Sequence, residues 1–359
     1  MAQTLPPSPK RIGKDIVTSL FIYALPILAL VVYFQITGET PWKNPPANQQ
    51  ATAPHFLHFL APVFTNLREW GFYAITFVLG AVEFAFGLYD NKWTSSERKI
   101  DIVCYVAPKF LMPPVTAYFS LHVLPLAIPH LANVFSWVPF WGGFFLIAIA
   151  DDLTQYWYHR LHHQLPVLWR FHRTHHSAPY MGMAMASRQN FIYTVFFSQI
   201  YVTSALVYLG LGYSALFVTV IKSIITLAAH SSIRWDKPFY KYKVLHPVAW
   251  VLERLISTPA THHAHHADTT DDGIGYYKGN FGNMFFIWDV IFKTGIITRQ
   301  YPTGFGLKHY KQEEWYAQFL WPIFKSKKEG SELAANGPVV GGEELEQEEP
   351  EYQGAYRIA

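Results

Sequence analysis

The chain has 359 residues, of which 51% are apolar, 17% aromatic and only 15% charged, with a formal net charge of +3. Ordinary soluble domains carry roughly 25% charged residues, so this composition excludes a typical soluble enzyme and points to a multi-pass membrane protein. The single cysteine, Cys104, excludes an intrachain disulfide, and the acidic run EELEQEEPE (343–351) leaves the remainder distinctly basic, as cytoplasmic loops near anionic lipid are, rather than a nucleic-acid binder.

In chain order, Ile16–Ile36 holds no charge and is long enough to cross a bilayer core of about 30 Å as a helix. It is too long for a signal-peptide core. Further apolar stretches follow at 71–89, 102–128, 134–149, 192–210 and 214–229. The stretch 102–128 contains Lys109, Pro113 and Pro114, which predict a kink or a re-entrant course. Lys10, Arg11 and Lys14 before the first stretch, and Lys92, Arg98 and Lys99 after the second, predict a cytoplasmic location for both. Pairing the six stretches as three hairpins, the last with a very short turn near 211–213, returns the chain to that side each time. From Trp250, WVLERLISTP predicts an amphipathic interfacial helix stopped by Pro259. From about Lys325 the chain is polar and predicts a disordered tail. The expected architecture is all-α, a multi-pass integral membrane helical bundle with a cytosol-facing, histidine-rich di-metal site. Transmembrane hairpins occupy 1–140, a catalytic domain 141–300, and a C-terminal extension with its acidic tail 301–359.

Two short windows, YHRLHHQLPVLWRFHRTHH (158–176) and THHAHH (261–266), hold ten of the seventeen histidines. His159 and His163 are four apart, so a helix places both on one face; His172 stands in the same relation to His175 and His176, and His262 to His265 and His266. The boxes therefore read H-x3-H, H-x2-H-H and H-x2-H-H. The hairpin pairing delivers all three to the same membrane face. Eight imidazoles suffice for two metal ions with about four each, and imidazole suits iron, zinc, copper and nickel alike. The Glu-x-x-His pairs of soluble carboxylate-rich iron bundles and the H-E-x-x-H of zinc peptidases are both absent. An all-imidazole pair of metals suits oxygen activation, because attack on an unactivated C–H bond needs a metal or another cofactor. The competing reading is a zinc-dependent membrane hydrolase of lipid amides or esters. Histidine runs also occur as adventitious metal binders, but three spaced boxes on one face argue against that. His55, His58, His122, His130, His246 and His309 lack such spacing and are assigned to structure or solvation.

The three boxes and their flanks resemble the fatty acid hydroxylase and sterol desaturase superfamily of membrane di-iron enzymes. Asp152 with Tyr156, Trp157, His159 and Arg160, the run LWRFHRTHHS (168–177), TPATHHAHH (258–266) and NFGNMFFIWD (280–289) carry the resemblance over about residues 145–295. It implies a di-iron catalytic domain with His159, His163, His172, His175, His176, His262, His265 and His266 as ligands. His162 and His263 fall on variable positions. His230, in AAHSSIRW, resembles an additional family histidine, so it is either a ninth ligand or a capped interfacial histidine. His175, His176, Ser177, Tyr180, Ala186, Arg188 and Gln189 are similar to the alkylglycerol monooxygenase branch, whereas Gln164 and Lys278 replace acidic residues of that branch. The resemblance implies O2-dependent hydroxylation, or desaturation, of a lipid drawn from the bilayer. It also implies two iron ions, and electrons from a reduced pterin or an external electron-transfer partner. The site would face the cytoplasm at a bacterial inner membrane or an endoplasmic reticulum membrane. Asp152, two helical turns before His159, is expected to orient an imidazole from behind, with Asp289 a weaker candidate. Arg160, Arg173 and Arg188 could contact lipid phosphate.

Overall fold

A computed structural model of the protein describes residues 47–54, 56–57, 72–87, 89, 92–308, 312–337 and 356–357. The first expected span, Ile16–Ile36, lies outside the described residues. Those described are mostly helical. After α1 (Ala47–Thr52) and α2 (Phe72–Ala85), α3 (Ser95–Tyr118) begins at Thr94, whose side chain accepts the Glu97 amide. Pro108, Pro113 and Pro114 lie inside α3 without breaking it. The chain relaxes into a wider π turn at Phe119–Val123 and stays helical to Ala127.

Helix α4 (Phe140–Gln164) organises the fold. The apolar stretch expected from 134 becomes helical only at Phe140, because Pro139 supplies the extended residue before it and residues 132–137 form turns. From there α4 continues unbroken through the first histidine box, so His159 and His163 ride on the same rod as the apolar half. Only Leu165 separates α4 from α5 (Pro166–His176); Pro166 occupies the first helical position, where its missing N–H costs nothing.

After α6 (Phe191–Val195), the helices α7 (Ser198–Leu206) and α8 (Gly212–His230) flank α4 as a hairpin. Tyr158 of α4 reaches the Tyr193 carbonyl, Asp151 reaches Thr203, and the Asn133 amide just before α4 reaches the Tyr208 carbonyl, so α7 runs antiparallel to α4. Ser214 bonds Phe140 and Lys222 pairs with Asp151, so α8 runs parallel to it. The reversal is made at Gly210, whose φ of 108° suits glycine, and a Cβ there would lie 2.9 Å from the Ser136 amide nitrogen. Asp151, accepting from Thr203 Oγ1 at 2.6 Å and paired with Lys222, ties the three helices at mid-length. Among the described residues, two segments, Ser95–Ala127 and Phe191–His230, are long and apolar enough to cross a membrane, and the second is folded back at Gly210.

The C-terminal half carries α9 (Lys237–Lys241), α10 (His246–Leu255), α11 (Pro259–His265), α12 (Ile287–Ile291) and α13 (Trp315–Leu320). The expected interfacial helix starts earlier than Trp250 and ends at Leu255; Val248, Trp250, Val251 and Leu255 lie exposed on it. Pro259 is not its stop signal but the first residue of α11, which a reciprocal Thr258–Thr261 cap secures. The disordered tail expected from about Lys325 is corrected over 325–337, while the acidic run 343–351 lies outside the described residues. Leu333 is fully buried against Ala317 and Trp321, Glu332 pairs with Arg173, and Tyr356–Arg357 pair with the short strand Ile296–Ile297. These residues are polar in composition, yet one leucine and paired charges dock them.

Substituting Gly210 by alanine should force an L side chain into the left-handed region against fixed backbone, costing roughly 1–3 kcal/mol. The check is the thermal midpoint of purified protein, which should fall; an unchanged midpoint would show that the hairpin turn is not tight.

Candidate metal centre

Four helices bring nine histidines together. His159 and His163 from α4, His172 and His176 from α5, and His265 from α11 form one group. His175 from α5, His230 from the end of α8, and His262 and His266 from α11 form a second. Within each group the nitrogens that could ligate lie within 4.8 Å of one another, and no member is more than 4% exposed. In both H-x2-H-H boxes the residues four apart share a group, while the middle histidine, His175 or His265, crosses to the other. The groups adjoin, since the His176 and His266 rings stack at 4.3 Å.

The rings are aimed by backbone carbonyls more than by carboxylates. His159 Nδ1 donates to the Phe281 carbonyl and His265 Nδ1 to the Gly279 carbonyl, each at 2.7 Å. His175 Nδ1 donates to the Arg188 carbonyl at 3.2 Å, His172 Nδ1 to the Gln189 side-chain oxygen at 3.3 Å, and His230 Nδ1 to the Thr226 carbonyl at 2.7 Å. An imidazole whose Nδ1 carries the proton presents a bare lone pair at Nε2. Those lone pairs converge: His265 and His159 Nε2 lie 3.1 Å apart, and His230 Nε2 lies 3.3 Å from that of His175. The Nε2 atoms of His163, His172, His176 and His266 are buried with no hydrogen-bond partner. Burial, reinforced by neighbouring imidazoles, holds His163, His172, His175, His176, His262, His265 and His266 well below the usual imidazole range, so these are neutral donors at neutral pH.

This donor set fits metal cations. Facing lone pairs repel unless a positive centre lies between them, and buried orphan nitrogens are costly without a partner. Two imidazole nitrogens on opposite sides of one ion, each at about 2.0–2.1 Å, stand about 4.2 Å apart, so the observed spread closes with shifts of a few tenths of an ångström. His162 and His263, although buried, belong to neither group. His162 Nδ1 donates to the Tyr158 carbonyl at 2.7 Å, and His263 Nε2 to the Ser231 carbonyl at 3.0 Å.

The acidic expectations need correction. Asp152 bonds no histidine: it accepts from the Phe285 amide and Trp288 Nε1, both at 3.0 Å, and more loosely from the Met284 amide. The tilt of α4 turns its carboxylate toward the segment after the last box instead. Asp289 acts one step further back, accepting from the Phe281 and Gly282 amides at 2.9 and 2.6 Å, and so fixes the carbonyl that holds His159. Asn280, at a φ of 56°, bonds Thr261 and Ile296 through its side chain and sets the carbonyl of Gly279 beside His265. The carbonyls of Phe281, Gly279 and Arg188 were not foreseen, because main-chain acceptors leave no mark of their own in a sequence.

The arginines also depart from expectation. Arg188 is fully buried and pairs with Glu97 at 2.5 Å and with Asp101 at 3.6 Å; Arg173 pairs with Glu313 and Glu332. Arg160 packs over Trp157 and donates to the Tyr156 hydroxyl. Neither buried arginine is placed to meet lipid phosphate. Arg188 instead anchors the strand of backbone whose carbonyl and neighbouring Gln189 aim His175 and His172. Replacing it with glutamine should leave the two α3 carboxylates buried without their cation and cost about 3–5 kcal/mol. A lowered thermal midpoint that the added change Glu97→Gln partly restores would bear this out; an additive loss would not.

A family model described as fatty acid hydroxylase matches residues 144–294, the segment that runs from α4 past the last histidine box to Thr294. Among curated proteins, the chain is 27% identical over 188 residues to an alkylglycerol monooxygenase of Danio rerio, covering 50% of this chain and 37% of that protein. The chain thus spans well under half the length of this relative. No solved structure matches the chain at a significant level. Residues 144–294 thus match the fatty acid hydroxylase model, and the chain is similar over half its length to an alkylglycerol monooxygenase.

Proposed function

We propose that the protein is a membrane-embedded di-iron oxygenase that hydroxylates an unactivated C–H bond in the alkyl chain of a lipid. The convergence of bare, buried imidazole nitrogens into two adjoining groups is the observation that carries this reading. His159, His163, His172, His176 and His265 would hold one ion, and His175, His230, His262 and His266 the other. Iron bound there would supply the one-electron chemistry and the activation of O2 that ordinary side chains lack. The chain's own part is to hold neutral donors in place, to keep their protons on Nδ1 through the carbonyls of Phe281, Gly279, Arg188 and Thr226, and to exclude bulk water. Hydroxylation converts R–H, O2, two electrons and two protons into R–OH and water, so a reductant is required: a reduced pterin or an electron-transfer partner. Desaturation would use the same site if a second hydrogen left in place of hydroxyl transfer.

Several features support the membrane setting. The apolar window of Ser95–Ala127 is only 11% buried, and Phe110, Leu111, Tyr118, Leu121 and Leu126 lie exposed along that segment. Such a surface suits lipid. The lipid would reach the site from the bilayer, with the histidine groups on the cytoplasmic face of a multi-pass bundle. The similarity to alkylglycerol monooxygenase favours an ether lipid carrying an alkyl chain.

Purified protein should contain about two iron ions per chain and consume O2 only with a reductant and an alkyl lipid present. Stoichiometric zinc with oxygen-independent cleavage of a lipid ester or amide would overturn this reading in favour of a hydrolase. Residue by residue, His163→Ala should lose metal from its group and abolish turnover, while His162→Ala, one position away, should keep both. Gln189→Leu, which removes the tether of His172, should weaken metal affinity by about 10–100-fold in a metal titration.

A further inference from the structure

A second feature lies behind the metal groups. A cavity of about 770 Å³ opens beside α11, within the range of small-molecule sites. His263, which points away from both histidine groups, lines it, together with Pro179–Met181, Ser232–Arg234 and Phe305. Each wall is closely linked to a proposed metal-holding residue. Pro179 follows His176 by three residues, Ser232 follows His230 by two, and the loop of Phe305 bonds α11 through Gly306 N to the His266 carbonyl.

The polarity of the lining is specific. Lys92, Arg234 and Lys237 all border the cavity, and none forms an ion pair with an acidic side chain among the described residues. Arg234 is held in place by the face of Tyr301, its guanidinium carbon 4.4 Å from the ring centre. The nearby Glu83 is buried and turned away, accepting from Ser231 Oγ, the Ser232 and Met183 amides and the Tyr89 hydroxyl. Val82, Phe86 and Ile233 add an apolar side, and Phe86, in the turn just past α2, is 75% exposed. Cations converging on one cavity, with an apolar rim beside them, match an anion joined to a hydrocarbon chain.

We propose that this cavity binds the phosphate-bearing headgroup of an amphiphile, with Arg234, Lys237 and Lys92 meeting the phosphate oxygens and the side of Val82, Phe86 and Ile233 taking the first carbons of the chain. Arginine offers paired donors that match phosphate, and lysine adds a compact charge. The cavity is larger than an inorganic phosphate ion needs, which is why the hydrocarbon is part of the assignment. The proposal goes beyond the oxygenase reading and does not rest on it.

The test is equilibrium binding to the full chain in uncharged lipid nanodiscs, with and without bound metal, using hexyl phosphate, inorganic phosphate and hexanol as probes. Hexyl phosphate should bind saturably in both metal states and at least tenfold more tightly than inorganic phosphate, and hexanol should not compete. Arg234→Gln and Lys237→Gln should each weaken hexyl phosphate by roughly tenfold, the size of one charge-assisted hydrogen bond, without changing metal content. Because both side chains are exposed, the variants should fold; raising salt on the unmodified protein gives the same reading without any variant, as weakened hexyl phosphate binding. Absent saturation, or affinity indifferent to both substitutions and to salt, would overturn the site. Equal affinity for inorganic phosphate would overturn the amphiphile and leave a free phosphate as the ligand.

Discussion

The constraint on which the site depends is the position of one proton on each tethered imidazole. Where Nδ1 is tied to a carbonyl, Nε2 has nothing to offer but a lone pair, and the fold then brings these lone pairs face to face. Such an arrangement opposes folding unless something cationic compensates it. The protein sustains the arrangement by tying down its surroundings. Asp289 grips the amides around Phe281, Asn280 braces the turn at Gly279, and Arg188, gripped in turn by Glu97 and Asp101 of α3, holds the segment that meets His172 and His175. Buried charges far from the histidines thus set ring orientation by way of the main chain.

Helix α4 couples this centre to the apolar part of the molecule. One continuous rod carries Phe140 in an apolar cluster, Asp151 in the tie between three helices, Asp152 against Met284–Trp288, and His159 and His163 in the first histidine group. Between them, α4 and the hairpin α7–α8 set the floor of the site, and α5 and α11 close over it.

Much of the centre was legible because histidines converging from one helix face leave a periodic trace. His159 with His163, and each H-x2-H-H box, could be recognised by helical spacing alone, and the bend near 211–213 by the short break between two apolar stretches. What could not be read was anything that depends on which face of a helix meets which neighbour. Asp152 has the right spacing from His159, yet its carboxylate turns to the amides of Met284 and Phe285. Arg173 and Arg188 look like surface cations until the glutamates that neutralise them, more than seventy positions away, are brought alongside. Residues 326–337 look unstructured because their hold rests on Leu333 and a few ionic contacts, which composition averages away.

The crossing of His175 and His265 has a mechanical meaning. Helices α5 and α11 each contribute side chains to both groups, with the third-neighbour residue on one flank of the helix and the fourth-neighbour pair on the other. Turning either helix about its axis would draw donors toward one ion while carrying them away from the other, as on a seesaw. An ion seated in the first group would fix the rotation of both helices and thereby prepare the second, and the reverse would hold equally, since such coupling is reciprocal. Two metal sites built this way would fill as a pair.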